Sequence, residues 1–238
     1  MAGASVPGWY GKLPTLGDFA SRRLEPGWIE AWDGWLAREL AGLRERLGEG
    51  WVEGYLASPP WRFVLLPGAH EGIEGAWAGV LMASVDRVGR YFPLTLAMPL
   101  AALPASAAAL DALLGWLHEL EDIGADALLE DWPVERLEHE LASLPGPAPA
   151  SDAAAGTPAA ERLAGLPGAG GDAAAPVARA ELVELFAAEV ARRGQRALGP
   201  VSFWLAASEQ PPRLAVSPGL PAGDAFAALF GSAPIPAP

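Results

Sequence analysis

Apolar residues in the first half of the chain repeat first with the period of a helix and then become dense, as in buried strands. From Pro26 to Leu47 they recur every three or four residues, which predicts one amphipathic helix, and Gly48 follows as a stop signal. Three tryptophans on this stripe are expected in the core: Trp28, Trp32 and Trp35. A shorter helix is predicted over 51–56, and strands over 9–12, 61–66, 76–85 and 93–98, the last two forming a hairpin.

The second half of the chain is mostly helical in pattern and contains one segment of low complexity. Helices are predicted over 106–120 and over 125–144, the latter broken near Pro133. Residues 145–176 contain 6 Pro, 6 Gly and 12 Ala without apolar periodicity, which indicates a flexible insertion. The pattern is completed by a helix over 178–193, strands over 201–206 and 213–216, and a helix over 222–230.

Strands interleaved with helices favour an α/β fold in which one sheet carries helices on both faces. We therefore expect residues 1–238 to form a single α/β domain, a three-layer sandwich around one mixed central sheet. The low-complexity segment at about 145–176 would be an insertion in that domain. At 238 residues the chain is long enough to bury about 70% of the surface that it exposes when unfolded.

Composition and charge exclude several classes of function. The chain has no cysteine, which rules out disulfides, thiolate zinc sites and thiol catalysis. No apolar run reaches the length of a membrane span, and residues 1–7 lack the features of a signal peptide, so a cytoplasmic protein without membrane insertion is expected. The net charge is −13, of which −11 lies in residues 101–238, and the single lysine argues against nucleic acid as a partner.

No familiar catalytic or cofactor motif is present. The three histidines, His70, His118 and His139, are far apart and lack a metal-chelating spacing. The glycine-rich stretch 165–171 lacks the Gly-Lys-Ser/Thr ending of a phosphate loop, and no serine lies in a Gly-x-Ser-x-Gly motif. The sequence therefore predicts no catalytic residue, no metal site and no cofactor.

Charged residues at turns and strand ends form the one set that suggests chemistry. The candidate structural or ligand-binding cluster, with Arg23 and Arg87 beside it, is Lys12, Asp18, Arg22, Arg62, Asp86 and Arg90. On one interpretation, the two aspartates pair with Arg62 or Arg90 and accept backbone N–H bonds, which locks the turns. On the other, the guanidinium groups line a pocket that binds a carboxylate or phosphoryl group.

Several stretches of the chain follow one another in an order that is typical of one protein family. They are GWYGKLPTLGDFASRRL, WIEAWDGWL, SPPWRFVL and GVLMASVDRVGRYFPLTLA. Together they resemble the N-terminal domain of TagF proteins, over about residues 8–100. Further along, VSFWLAAS and GLPAGDAFAALF are similar to the C-terminal strand and closing helix of that family.

The resemblance implies an α/β sandwich built on one sheet and a role as a post-translational repressor of bacterial type VI secretion. Proteins similar to this chain act by binding the forkhead-associated scaffold of that system, so a protein partner is expected. Individual contact residues are not carried over, because the motif residues are of the kinds that form turns and cores.

Three functions follow from the sequence as alternatives. The first is a binding module, for which the acidic helical region from Glu119 to Glu140 is a candidate surface for a basic partner. The second is a small enzyme or phospho-ligand-binding domain that uses the Arg/Asp turn cluster. The third is an architectural subunit of the secretion apparatus.

Overall fold

An antiparallel sheet of eight strands forms the centre of the molecule. The computed structural model describes residues 6–104, 107–147, 175–176, 200–207, 209 and 211–230. The strands are β1 (Gly8–Gly11), β2 (Ala20–Arg22), β3 (Trp61–Leu65), β4 (Ala76–Met82), β5 (Leu94–Leu100), β6 (Ala175–Pro176), β7 (Val201–Ala206) and β8 (Arg213–Pro218). Their order across the sheet is β2-β1-β5-β4-β3-β7-β8-β6.

Helices in the described residues cover the sheet. They are α1 (Pro26–Leu47), α2 (Trp51–Leu56), α3 (Ala107–Leu129), α4 (Val134–Ser143) and α5 (Asp224–Phe230), with a 3₁₀ turn at Gly48–Gly50. The first helix begins at a proline, whose missing N–H is not needed in a first turn, and ends at Gly48, where φ is 56°. Within the described part of the chain, no helix combines the length and the apolarity needed to cross a membrane.

The three-layer α/β sandwich expected from the sequence is confirmed, since helices pack on both faces of one sheet. The sheet is not mixed as expected, because every pairing described between its strands is antiparallel. Short connections account for much of this difference. The expected hairpin of β4 and β5 is present, and β1–β2 and β7–β8 are also neighbours in both sequence and space.

Helix α3 is continuous, whereas the sequence predicts an interruption over 121–124. Gly124 in this stretch packs closely on the sheet: a Cβ there would lie 2.9 Å from Leu96 Cδ1 and 2.9 Å from Met82 Cε. The glycine therefore permits close contact between helix and sheet and does not end the helix. The expected break near Pro133 is confirmed, because α3 and α4 are separate helices on either side of it.

The sequence does not predict two short strands, β2 and β6. They contain three and two residues, too few to display a period of two. The strand β6 lies at the end of the low-complexity segment and pairs with β8 at the edge of the sheet. The rest of that segment, from 148 to 174, and the helix expected over 178–193 lie outside the described residues.

One face of the sheet packs against α1, α2 and α5 through aromatic side chains. Trp32 is fully buried, and its ring centroid lies between 4.7 and 6.4 Å from those of Trp28, Trp35, Phe63 and Trp204. Its indole N–H donates to the Thr95 hydroxyl at 2.8 Å, so the buried polar group is satisfied. The core position predicted for the three tryptophans of α1 is confirmed.

The other face packs against α3 and α4 and is mainly aliphatic. The buried residues of these two helices include Leu110, Leu113, Leu117, Leu120, Leu137 and Leu141. Strand β4 lies between the two covers and is buried along its whole length. This is why its sequence is apolar throughout and does not alternate.

We expect Gly79→Ala to destabilise the protein by about 1–3 kcal/mol, since overpacking of this kind is costly. A Cβ at Gly79 would lie 2.2 Å from the Leu96 carbonyl oxygen and 2.7 Å from Phe63 Cζ, so neighbouring strands would have to shift. The matched control is Gly42→Ala in α1, where a Cβ meets nothing within 4 Å. There, alanine should stabilise the helix by up to about 1 kcal/mol. Urea unfolding measures both changes, and equal midpoints for the two variants would contradict the expectation.

Candidate functional site

Lys12 and Asp86 form a buried ion pair at one end of the sheet. Strands β1 and β4 flank β5 on either side and run antiparallel to it, so their C-terminal ends lie near each other. Lys12 directly follows β1, and Asp86 begins the turn after β4. The distance from Lys12 Nζ to Asp86 Oδ2 is 2.6 Å, and the two side chains are 3% and 0% exposed.

Donors occupy both oxygens of Asp86. Oδ2 also accepts from Arg90 Nε at 2.7 Å, and Oδ1 accepts the backbone N–H groups of Val88 at 3.0 Å and Arg90 at 2.9 Å. Burial by itself would raise the pKa of Asp86. The hydrogen bonds, the one from Lys12 foremost, outweigh burial and hold that pKa well below the usual range. The Asp86 carboxylate therefore holds its own turn together through these hydrogen bonds.

Tyr55 and Ser84 hold the ion pair in place from the side of α2. The Ser84 hydroxyl donates to the Lys12 carbonyl at 2.8 Å, and the Ser84 N–H donates to the Tyr55 hydroxyl at 2.9 Å. Tyr55 in turn donates to the Ser84 carbonyl at 3.0 Å, and burial raises the pKa of its phenol. These bonds tie α2 to the ends of β1 and β4, which fixes the position of the lysine.

The loop after β1 joins the turn after β4 at the surface. The Arg87 N–H donates to the Leu16 carbonyl at 3.0 Å, and the Arg90 guanidinium donates to the Gly17 carbonyl. Asp18 Oδ1 lies 3.6 Å from Arg90 Nη2, and both side chains are largely exposed. Two turns that are far apart in sequence thus make one structural unit.

Phe19 covers the ion pair on its outer side. Lys12 Nζ lies 4.2 Å from the centre of the Phe19 ring, within the range of a cation–π contact. The ring also stacks on Tyr10, with centroids 5.8 Å apart, and meets Phe92 edge-on at 4.8 Å. An aromatic cluster therefore separates the lysine from solvent.

The structure brings four members of the predicted cluster together and places two elsewhere. Those together are Lys12, Asp18, Asp86 and Arg90. Arg62 faces α3, where its Nε lies 2.5 Å from Glu121 Oε2 and its Nη2 lies 3.1 Å from His118 Nδ1. Arg22 is exposed and donates to the Ser21 carbonyl. Arg90 is thus the arginine that meets the aspartates, while Arg62 pairs with a buried glutamate.

Two more carboxylates bind distant segments, and the sequence reasoning missed both. Glu39 accepts the Gly223 N–H at 2.8 Å and lies within the apolar stripe of α1, a position that could have marked it as a buried acid. Glu138 accepts the Trp9 indole N–H at 2.6 Å and pairs with the Arg23 guanidinium. Burial would raise the pKa of Glu138, but these two partners lower it. No local pattern could have revealed Glu138, because its partners are more than a hundred residues away.

The arrangement around Asp86 is suited to fixing a turn. Its carboxylate has no oxygen left for proton transfer, and the ammonium group of Lys12 is shielded from solvent. Within the described ranges, no three His, Asp or Glu side chains are placed to hold a metal ion. The parts of the site that solvent reaches are the outer side chains of the two turns, those of Asp18, Phe19, Arg87, Val88 and Arg90.

Comparisons with known proteins find a family and a solved structure. The model of the TagF N-terminal domain, described as type VI secretion system-associated, matches residues 8–144. The crystal structure of PA0076 from Pseudomonas aeruginosa PAO1 has 31% sequence identity with this chain. The match covers 94% of each chain with a TM-score of 0.67. Among curated protein sequences, none matches this chain.

We expect acid to destabilise the wild-type protein more steeply than the Asp86→Asn variant. The pKa of Asp86 is lowered by folding, so its contribution to stability is present above the unfolded value of about 4 and is lost as the pH falls below it. Asparagine does not titrate and removes this contribution at every pH. Urea unfolding at a series of pH values measures the difference. An acid slope as steep in Asp86→Asn as in the wild type would refute the assignment.

Removing Glu121 should be costly because the buried guanidinium of Arg62 would lose the negative charge that it pairs with. Loss of one member of a buried pair costs about 3–5 kcal/mol, so Glu121→Gln should lower the thermal midpoint strongly. The double variant Arg62→Met/Glu121→Leu should recover most of that loss, since apolar replacements of similar volume are often tolerated. Glu119→Gln, at an exposed residue of the same helix, serves as the control, with a change within about 0.5 kcal/mol expected. Calorimetry that gave the same midpoint for wild type and Glu121→Gln would rule out a stabilising pair.

Proposed function

Because the chain belongs to the family of TagF N-terminal domains, which is associated with type VI secretion, we propose that it is an accessory protein that represses this secretion system after translation. It would act by binding the forkhead-associated scaffold component of the system. We also propose that the protein is cytoplasmic and does not insert into a membrane.

The observation that supports a binding role is that both oxygens of the Asp86 carboxylate already accept hydrogen bonds from within the chain. An enzyme needs an acid, base or nucleophile that can reach its substrate. Here the Asp86 carboxylate accepts hydrogen bonds from Lys12, from Arg90 and from backbone N–H groups of the turn, so it is not available to a substrate. The charged groups that the sequence offers for chemistry are used to build a rigid surface, and a rigid surface favours binding.

Direct binding to the scaffold tests the proposal. The purified chain is titrated with the forkhead-associated component from the same secretion cluster by isothermal calorimetry, and secretion is followed in cells that lack or overproduce the chain. A complex should form, and secretion should rise on deletion and fall on overproduction. Absence of binding together with unchanged secretion would refute the proposal.

Two controls separate the repressor from the alternatives. A repressor that acts by binding should be needed in a fixed ratio to the scaffold, whereas an enzyme that depends on the Arg/Asp cluster would act at much lower amounts. An architectural subunit would co-purify with the apparatus in a fixed ratio, and its deletion would abolish secretion. A rise in secretion on deletion is the outcome that only the repressor predicts.

A further inference from the structure

The two turns beside the buried ion pair form one continuous surface. It consists of residues 17–19 from the loop after β1 and residues 87–90 from the turn after β4, and we call it the twin-turn surface. The bond from the Arg87 N–H to the Leu16 carbonyl and the contacts of Arg90 with Gly17 and Asp18 join the two turns. One partner can therefore contact both turns at once.

Two apolar side chains are exposed on this surface. Val88 is 63% exposed and Phe19 is 43% exposed. Single exposed apolar residues are normal on a folded domain, but two on adjoining turns make a patch that a partner can cover. Because Phe19 stacks on Tyr10 and packs edge-on against Phe92, its ring is held in place while part of the side chain stays exposed.

The same surface has more cations than free carboxylates. Within the described residues, the guanidinium of Arg87 makes no hydrogen bond or ion pair, and the Arg90 side chain is half exposed. Of the two acids nearby, Asp86 has both oxygens occupied and Asp18 already lies against Arg90. On a chain with a net charge of −13, this is a local region of the opposite sign.

Buried bonds hold the surface in one conformation before any partner arrives. The Asp86 carboxylate accepts the N–H groups of Val88 and Arg90, so the backbone that carries the exposed side chains is fixed from below. A preorganised surface loses little conformational entropy when it binds. This favours recognition by the outer side chains with the turn unchanged.

We propose that the twin-turn surface is the docking site for an acidic segment of a protein partner. A carboxylate of that segment pairs with Arg87, whose guanidinium group matches a carboxylate in a two-bond geometry. A second one meets the exposed edge of Arg90, whose Nε and Nη2 atoms already donate to Asp86 and Gly17. An apolar side chain of the segment packs on Val88 and Phe19. Aromatic and arginine residues are enriched at the centres of protein interfaces, in keeping with this composition. The inference rests on the proposed function, from which it takes the scaffold component as the partner.

The acidic helices α3 and α4 offer less free charge than their sequence suggests. Glu121, Glu130 and Glu138 each pair with an arginine, and Asp122 lies 3.6 Å from His118. A basic partner on this face would have to compete with contacts that already exist. Binding of the partner to this acidic face is the alternative that the experiment below distinguishes.

The test compares the scaffold affinity of two surface variants with that of two matched controls. Val88→Asp and Arg87→Glu should each weaken binding about tenfold or more, with an unchanged unfolding midpoint. Leu129→Asp, at another exposed apolar residue, and Arg136→Glu, at an arginine over Trp132 of the α3–α4 region, should change the affinity less than threefold. Arg87→Lys, which keeps the charge and loses the two-bond geometry, should have an affinity between those of wild type and Arg87→Glu. Salt should weaken the wild-type complex more than that of Arg87→Glu.

Each result decides the question. Normal affinity in both Val88→Asp and Arg87→Glu would overturn the docking site and leave the repressor function standing. If neutralising Glu119, Glu135 and Glu140 weakened binding while Val88→Asp did not, the acidic face would be the interface and the twin-turn surface would be excluded. A wild-type protein that does not bind the scaffold would overturn both the docking site and the repressor function.

Discussion

Burial of the central sheet on both faces is the constraint on which the rest of the structure depends. Every residue of β3 and β4 is buried, so the polar groups on these strands have little access to water. Each buried polar side chain in the sheet therefore requires a partner within the protein. Arg62 meets Glu121 from the aliphatic layer, and Thr95 accepts the indole N–H of Trp32 from the aromatic layer. These contacts fix how each helical layer lies on the sheet, which apolar packing alone specifies less strictly.

The same rule governs the end of the sheet where Lys12 and Asp86 meet. A lysine that follows a buried strand has to be paired, and its partner has to be satisfied in turn. The carboxylate takes the lysine, the guanidinium of Arg90 and two N–H groups of its own turn. The pair thus converts a flexible connection into a rigid one. It also explains how a lysine and an aspartate can both be almost fully buried.

The Lys12–Asp86 motif has an inner side that stabilises the fold and an outer side that is exposed. On the inner side, Lys12, Asp86, Ser84 and Tyr55 hold β1, β4 and α2 together. On the outer side, the same turns present apolar and cationic groups to solvent. The stretches that identify the family contain residues of both kinds. Membership of the family therefore does not show which residues stabilise the fold and which could contact a partner. The distinction follows from burial, since a side chain with all its donors and acceptors occupied has nothing left to offer a partner.

Much of the fold is determined by local sequence, and most of the site is not. The helical spacing of the apolar residues and the glycine that follows them define α1. Short apolar runs bounded by turn residues define β3, β5 and β7, because these signals act over a few residues. By contrast, the Lys12–Asp86 pair joins residues 74 apart, and the partner of Arg62 is 59 residues away. The continuity of α3 through Gly124 likewise depends on the sheet against which that glycine packs. Local sequence determines which segments are helices and strands, whereas strand register and helix packing decide which charges meet, because only they set the distances between remote side chains.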